Sequence, residues 1–108
     1  MLNRPTELTY ALRGRWGEFD VPPGSTVTLG RDFDAAPVTA TRLAVADRVS
    51  RIHAHVTNDG GRLTIVDAST NGTTVNGDRL VRGECRDLLD GDLILLGTQV
   101  EFTVVGNG

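Results

Sequence analysis

The sequence contains no lysine, a single cysteine and no long apolar run. Cys85 alone cannot form an internal disulfide and has no neighbouring Cys or His cluster, which argues against a secreted disulfide scaffold and against a zinc module. We interpret Cys85 as a small, partly buried apolar residue. No stretch approaches the roughly 18 apolar residues of a membrane span, and the polar N-terminus lacks a signal-like segment. We therefore expect a cytoplasmic domain without direct membrane contact.

All 11 basic residues are arginine, and the net charge is −3. A net negative body repels polyanions, so we expect no nucleic-acid partner. We attribute the absence of lysine to codon usage and infer a GC-rich bacterial source from it. Single arginines can still matter for function, because the planar guanidinium contacts one phosphate group in a bidentate way.

Short runs of β-branched and apolar residues alternate with turn signals along most of the chain. The runs are residues 8–12, 25–29, 55–57, 63–66, 93–96 and 100–105, and Gly, Pro, Asn and Asp lie between them. Within the last run, Val100, Phe102 and Val104 fall on one face, as in a half-buried strand. Many short strands joined by tight turns are typical of an all-β fold. We predict a two-sheet β-sandwich of about eleven short, mostly antiparallel strands.

The chain of 108 residues has the length of one domain. We treat residues 1–108 as a single domain with a core over about 7–105, and we expect it to be the N-terminal module of a longer protein. The least regular stretch is 32–47, which holds Pro37 and scattered apolar residues. We predict a loop there, with one or two short edge strands.

Three predicted loops carry groups that bind anions. They are Gly30-Arg31, Ser50-Arg51-Ile52-His53, and Ser69-Thr70-Asn71-Gly72-Thr73 with the following Val75-Asn76-Gly77. Loops cluster at the two ends of a β-sandwich, so the three can converge on one place. Together they offer two guanidiniums, several hydroxyls and an amide, without a metal-ligand cluster or a base placed beside a nucleophile. Such a set binds an oxyanion without catalysing its reaction.

In this order, the three segments resemble the forkhead-associated (FHA) domain family. The family pattern is Gly-Arg, then Ser-Arg-x-His, then Ser-x-Asn-Gly-Thr-x-Val-Asn-Gly, and the resemblance covers about residues 7–105. It implies a β-sandwich of the FHA/SMAD-like type that binds phosphothreonine in a partner protein or in its own chain. It also implies a role in Ser/Thr-kinase-dependent signalling, with an upstream Ser/Thr protein kinase as a partner, no catalysis and no cofactor.

The resemblance implies a role for each matching residue. Arg31 is similar to the arginine that grips the phosphate, Ser50 to its hydroxyl donor, and Arg51 to a second charge beside it. Thr70 is similar to a further contact to the phosphothreonine. Asn71 is similar to the asparagine whose side-chain amide holds the backbone of the bound peptide. The structural supports implied in the same way are Gly30, His53, Gly72, Asn76 and Gly77.

Arg48 lies two positions before Ser50, at the end of a segment that is longer than the usual family spacing. In the family, the third residue after the phosphothreonine commonly sets specificity. An extended peptide advances about 3.3 Å per residue, which puts this third residue about 10 Å away and beside Arg48. We assign Arg48 to selection of an acidic residue there. The alternative is a solvated arginine that pairs with Asp47.

The sequence is also compatible with other functions. Ser50 and His53 could belong to a hydrolase, although no Gly-x-Ser-x-Gly motif is present. The domain could also be a non-catalytic structural or oligomerising sandwich with phosphate-independent protein binding, against which the set of Arg31, Ser50 and Asn71 argues. A metal site on His53 and His55 is not favoured, because no third ligand lies near them in the sequence.

Overall fold

The computed structural model describes residues 9–106, which form ten strands and one short helix. The strands are β1 (Tyr10–Gly14), β2 (Gly17–Val21), β3 (Ser25–Leu29), β4 (Ala54–Asn58), β5 (Leu63–Asp67), β6 (Thr73–Val75), β7 (Asp78–Arg79), β8 (Cys85–Leu88), β9 (Leu93–Leu96) and β10 (Val100–Gly106). The helix α1 (Pro37–Leu43) lies between β3 and β4. Within the described range, no helix is long and apolar enough to cross a membrane.

The strands form two antiparallel sheets, which confirms the predicted two-sheet sandwich. The first sheet has the order β2-β1-β10-β9-β6-β7, and the second has the order β3-β4-β5-β8. The chain crosses from the second sheet to the first through residues 68–72, between β5 and β6. The described residues thus hold ten strands where about eleven were expected.

The core lies between the sheets and consists largely of alternate residues of β2, β4, β5, β6, β9 and β10. Val100, Phe102 and Val104 of β10 are 4%, 0% and 0% exposed, which confirms the predicted alternation. Ile65 of β5 is fully buried in the same cluster, and the ring of Phe19 meets the ring of Phe102 edge to face at a centroid distance of 5.7 Å. Burial of one face per strand fixes the register of both sheets.

The stretch 32–47 contains α1, so the prediction of a loop with short edge strands was wrong. Pro37 lies in the first turn of the helix, where a backbone N–H would have no partner within the helix, so proline costs no hydrogen bond there. Leu43 is fully buried, and the ring of Phe33 packs on Phe19 at a centroid distance of 4.8 Å. These contacts hold the segment on the core. A helix of seven residues is too short for the helical period to show in a sequence.

Cys85 is exposed, so the prediction of a partly buried cysteine was wrong. It lies at the start of β8, which is an edge strand of the four-stranded sheet. Only Leu88 of this strand is buried. The expectation rested on the usual burial of free cysteines, and position on an edge strand overrides that tendency.

Candidate functional site

The topology brings the three motif loops to one end of the sandwich. β3 ends at Leu29 and β4 begins beside it at Ala54, so the segment 30–53 leaves and rejoins this end. β5 returns antiparallel to β4 and ends at Asp67, so the crossover 68–72 starts there as well. The turn between β9 and β10 lies at the same end, because Thr73 pairs with Leu96.

Gly30 allows two of these segments to touch. The N–H of Arg31 donates to the carbonyl of Ser50 at 3.0 Å, and the N–H of Asp32 donates to the carbonyl of Arg51 at 3.1 Å. A Cβ at position 30 would collide with the Arg51 carbonyl oxygen and would lie 2.7 Å from that of Ser50. Only glycine permits this close approach, so Gly30 sets the position of the segment that carries Ser50.

The guanidinium of Arg31 is held by its inner nitrogen. Its Nε donates to the carbonyl of Val49 at 2.8 Å, and the residue is otherwise exposed. Among residues 9–106, no carboxylate pairs with Arg31. Both Nη groups therefore keep their N–H donors free on the solvent side of the site. A positively charged guanidinium held in this way is suited to binding an oxyanion.

Ser50 joins the two motif loops and keeps a free donor. Its Oγ accepts a hydrogen bond from the N–H of Thr70 at 3.1 Å. Within the described part of the chain, the hydroxyl proton of Ser50 has no acceptor, and the hydroxyl of the exposed Thr70 has no partner. Both hydroxyls remain available to a ligand beside Arg31.

Arg51 stands beside this group but is already paired. Its Nε lies 3.3 Å from Oδ1 of Asp32, and the two side chains are 72% and 49% exposed. An ion pair this exposed contributes little, on the order of 0–1 kcal/mol. An anion at the site can therefore compete with Asp32 for Arg51.

Asn71 connects the crossover to the segment before Ser50. Its Nδ2 donates to the carbonyl of Arg48 at 3.0 Å, and the N–H of Arg48 donates to Oε1 of Gln99 at 2.8 Å. Nε2 of Gln99 donates to Asp47 at 3.2 Å, so the neighbouring carboxylate is engaged by an amide and not by Arg48. The side chain of Arg48 is exposed and has no carboxylate partner among the residues described.

His53 braces the loops from inside and is fully buried. Its Nδ1 accepts from the N–H of Ser50 at 2.9 Å, so Nε2 carries the proton and donates to the carbonyl of Gly72 at 2.9 Å. Burial lowers the pKa of His53 below its usual value, against the opposing effects of the Gly72 hydrogen bond and of the charge on Asp67. Both ring nitrogens are bound to backbone, so neither faces the Ser50 hydroxyl as the hydrolase alternative requires.

The family model described as FHA domain matches residues 27–97, a range that holds all three motif loops. The chain belongs to the FHA domain family. The resemblance stated from the motifs is thereby confirmed. Within the FHA family, the chain is 32% identical over 107 residues to an FHA domain-containing protein of Arabidopsis thaliana, which covers 96% of this chain and 26% of that protein.

Solved FHA domains share the fold. The solution structure of the FHA domain of an Arabidopsis thaliana hypothetical protein superposes with a TM-score of 0.81 at 26% identity, and covers 98% of this chain and 92% of that one. An FHA domain solved in a study of phosphothreonine-dependent FHA domain interactions gives a TM-score of 0.72 at 30% identity, with 93% and 98% covered. The chain spans only 19–28% of the length of the curated relatives that it matches.

This FHA domain does not bring all of the motif residues together. Asn76 and Gly77, with φ of 52° and 85°, form the two-residue turn between β6 and β7 at the far end from Arg31. The Asn76 side chain bonds Asp92 and the N–H of Leu93, each at 2.9 Å. This pair holds the hairpin to the neighbouring β8–β9 connection and does not line the candidate site.

Asp67 is a supporting residue that the motif reading missed. It is 3% exposed, and its Oδ1 accepts from the N–H of Ser69 at 3.1 Å, from the hydroxyl of Ser69 at 2.6 Å and from the hydroxyl of Thr73 at 2.7 Å. Burial acts to raise the pKa of Asp67, but the bonds from Ser69 and Thr73 outweigh it and lower the pKa. The signal in the sequence was an Asp two residues before a Ser, which is typical of an Asx turn.

Two further residues at the FHA site carried no motif signal. Gln99 holds the backbone of Arg48, as described above. Arg79 covers Gly72: a Cβ at position 72 would lie 2.8 Å from Cζ of Arg79, and Gly72 has a φ of +96° that favours glycine. In the described range, no group of three or more His, Cys, Asp or Glu side chains could hold a metal ion.

The buried neutral state of His53 predicts a pH dependence of stability. Because its folded pKa is lowered, the unfolded chain takes up a proton below its usual pKa of 6.5 while the folded chain resists protonation. The free energy of unfolding should be fully retained above pH 6.5 and should fall as the pH drops from there toward the lowered pKa. Urea denaturation across this window measures the slope.

The control for this prediction is a pair of histidine variants. His53→Gln should flatten the dependence of stability on pH, whatever its own cost to stability. His55→Gln, which removes a half-buried histidine on β4 that bonds Thr28 at 3.0 Å, is the matched control for the loss of a histidine. A slope that survives His53→Gln unchanged would assign the effect to another group.

Proposed function

We propose that this domain binds phosphothreonine in a partner protein, or in another part of its own chain, and thereby serves Ser/Thr-kinase-dependent signalling. The observation that supports it most is the group of uncommitted donors at one end of the sandwich. The Nη groups of Arg31 and the hydroxyls of Ser50 and Thr70 lack acceptors among residues 9–106, while the backbone beneath them is fixed by hydrogen bonds. A phosphate monoester supplies three acceptor oxygens and about −1.5 to −2 charges.

The proposed roles follow from these contacts. Arg31 would hold the phosphate through its free Nη groups, and Ser50 would donate its hydroxyl proton to a phosphate oxygen. Thr70 would contribute a further hydroxyl, and Arg51 would exchange its exposed bond with Asp32 for the phosphate. Asn71 uses one N–H of its amide on the Arg48 carbonyl, so its oxygen and second N–H remain for the backbone of the peptide.

Arg48 is proposed to select the residue that follows the phosphothreonine by three positions. The alternative partner, Asp47, is engaged by Gln99, which leaves the Arg48 guanidinium free for a ligand. Its backbone is pinned on both sides, by Asn71 and by Gln99. An acidic residue of the peptide should gain about 0.2–1 kcal/mol from it while the pair stays exposed to solvent.

The proposed setting is cytoplasmic, with an upstream Ser/Thr protein kinase, no cofactor, no catalysis and no nucleic-acid partner. The lysine-free composition supports a bacterial source, whereas the curated relatives come from mammals and a plant and lend no support to it. The second candidate is a structural or oligomerising sandwich with phosphate-independent protein binding. The uncommitted donors favour the first, because they converge beside one guanidinium on a fixed backbone, as the binding of an oxyanion requires.

The proposal predicts strict dependence on the phosphate. An oriented peptide library with fixed phosphothreonine should yield binders with micromolar Kd, roughly −7 to −9 kcal/mol. The matched library with unmodified threonine should yield none. Phosphoserine should bind several-fold to about a hundred-fold more weakly, because it lacks the methyl group that the Thr70-Asn71 loop is proposed to contact. Equal affinity for the phosphorylated and the unmodified peptide in isothermal titration calorimetry would instead support a structural or oligomerising sandwich with phosphate-independent binding.

A further inference from the structure

Arg79, at the end of β7, packs against the crossover 68–72 that carries Asn71. Its guanidinium covers Gly72, and a Cβ at that position would lie 2.8 Å from both Cζ and Nη2. Gly72 is itself buried and fixed, because its carbonyl accepts from Nε2 of His53 at 2.9 Å and from the N–H of Gly97 at 2.9 Å. Arg79 is therefore a cation placed on a rigid surface, one residue away from the asparagine that is proposed to hold the peptide.

The charge of Arg79 is not neutralised by its surroundings. No carboxylate pairs with it in the described residues, and the adjacent Asp78 lies 3.5 Å from Nη2 of Arg86. Arg82 also lacks a carboxylate partner there, and its Nη2 donates to the carbonyl of Ala68 at 3.4 Å. Two arginines without acidic partners thus border the crossover 68–72 in a protein whose net charge is −3.

Arg79 lies on the opposite side of the crossover from Arg48. In the six-stranded sheet, β6 stands between β9 and β7, so the β9–β10 turn and Arg79 flank it on either side. Arg48 is tied to that turn through Gln99. Neighbouring strands are about 4.8 Å apart, so Arg79 on β7 starts about one to two extended residues from β6, and its long side chain extends this reach.

We propose that Arg79, assisted by Arg82, forms a second anion-binding point for the same ligand, on the side of the phosphothreonine away from Arg48. It takes an anionic side chain, either a carboxylate or a second phosphorylated residue, within about three residues of the phosphothreonine. The inference rests on the proposed function of the site and extends it. The domain then selects partners with negative charge on both sides of the modified threonine.

The test uses phosphothreonine peptides of defined sequence. The peptides carry alanine at the other positions, and a single aspartate is walked through the four positions on either side. Binding is measured by isothermal titration for the wild type, for Arg79→Ala and for Arg62→Ala. The last is a matched control, because Arg62 also lies on the surface, pairs with Asp87 at 2.8 Å and sits beyond the far end of β5.

For the wild type, we expect aspartate at one position on the Arg79 side to tighten binding by about two- to fivefold at low salt. Arg79→Ala should lose this gain while it keeps the gain that depends on Arg48, and Arg62→Ala should keep both. Phosphoserine in place of that aspartate distinguishes the two sources of charge, since a larger gain than that of aspartate indicates a second phosphate. Arg79→Gln retains most of the side chain over Gly72 and replaces Arg79→Ala if the alanine variant does not fold.

The outcomes separate this inference from the proposed function. An aspartate gain that is identical in the wild type and in both Arg79 variants, or the absence of any gain on that side, would overturn the inference while phosphate-dependent binding stands. A wild type that binds phosphorylated and unmodified peptides equally would overturn the proposed function together with it.

Discussion

Arg31→Ala should weaken phosphopeptide binding by about 2–5 kcal/mol, which is a loss of roughly 30-fold to several-thousand-fold. The variant removes the guanidinium that the Val49 carbonyl holds at the site through Nε, and so leaves the phosphate without its main counter-charge. The fold should lose only the bond from Nε to the Val49 carbonyl, worth about 0.5–1.5 kcal/mol. Isothermal titration with a phosphothreonine peptide selected from the library, together with urea denaturation, measures the two effects separately.

Two other variants sharpen this prediction. Arg31→Lys keeps the charge but not the planar fork, so it should recover only part of the affinity. Arg62→Ala, which breaks an exposed ion pair at the other end of the sandwich, should leave the affinity unchanged. If Arg31→Ala bound the peptide as tightly as the wild type, or if it did not fold, Arg31 would not be the phosphate contact.

Asp67→Ala should lower the free energy of unfolding by about 3–5 kcal/mol. The variant leaves the N–H and hydroxyl of Ser69 and the hydroxyl of Thr73 without their common acceptor in a buried place. Ser69 Oγ also accepts from the N–H of Gly72 at 2.8 Å, so the loss extends to the crossover that carries Asn71. Urea denaturation at neutral pH gives the stability, and amide hydrogen exchange of residues 68–72 reports local opening.

Two control variants accompany Asp67→Ala. One removes the charge of Asp67 but keeps an oxygen, and the other removes a carboxylate that is exposed. Asp67→Asn keeps an acceptor oxygen and should cost less than the alanine variant. Asp87→Ala removes an exposed carboxylate that pairs with Arg62, and should cost less than about 1 kcal/mol. Because the folded pKa of Asp67 is lowered, its contribution holds above the usual carboxyl range and is lost as the pH falls through the lowered value. A cost equal to that of Asp87→Ala would contradict the role of Asp67.

The sequence predicts β4, β5, β9 and β10 well because each of them buries alternate residues. Two of the predicted runs, 25–29 and 93–96, coincide with the observed β3 and β9. The motif loops meet at one end because the antiparallel strands β3, β4 and β5 return the chain to that end. Gly30 was readable from the motif, and its contact with the Ser50 and Arg51 carbonyls explains why no other residue fits there.

What the sequence could not predict depends on contacts between distant residues. The helix α1 is held by Leu43 and Phe33 on a core that exists only after the sheets form. Asp67 looks like any turn residue until Thr73, six positions later, donates to it. Arg79 gains its place at the site because β7 pairs with β6, and a strand of two residues leaves no periodic signal.

The bonds to the Gly72 carbonyl have a consequence for the rates of binding. His53 and Gly97 fix this carbonyl from two sides, so the receptor loops need little reorganisation when a ligand arrives. The entropy lost on association then belongs mainly to the extended peptide. Partners of different sequence should associate at similar rates, raised by the surface arginines at low salt, and should differ chiefly in how long they stay bound. Residence time, set by flanking residues, would then be the quantity that distinguishes one partner from another.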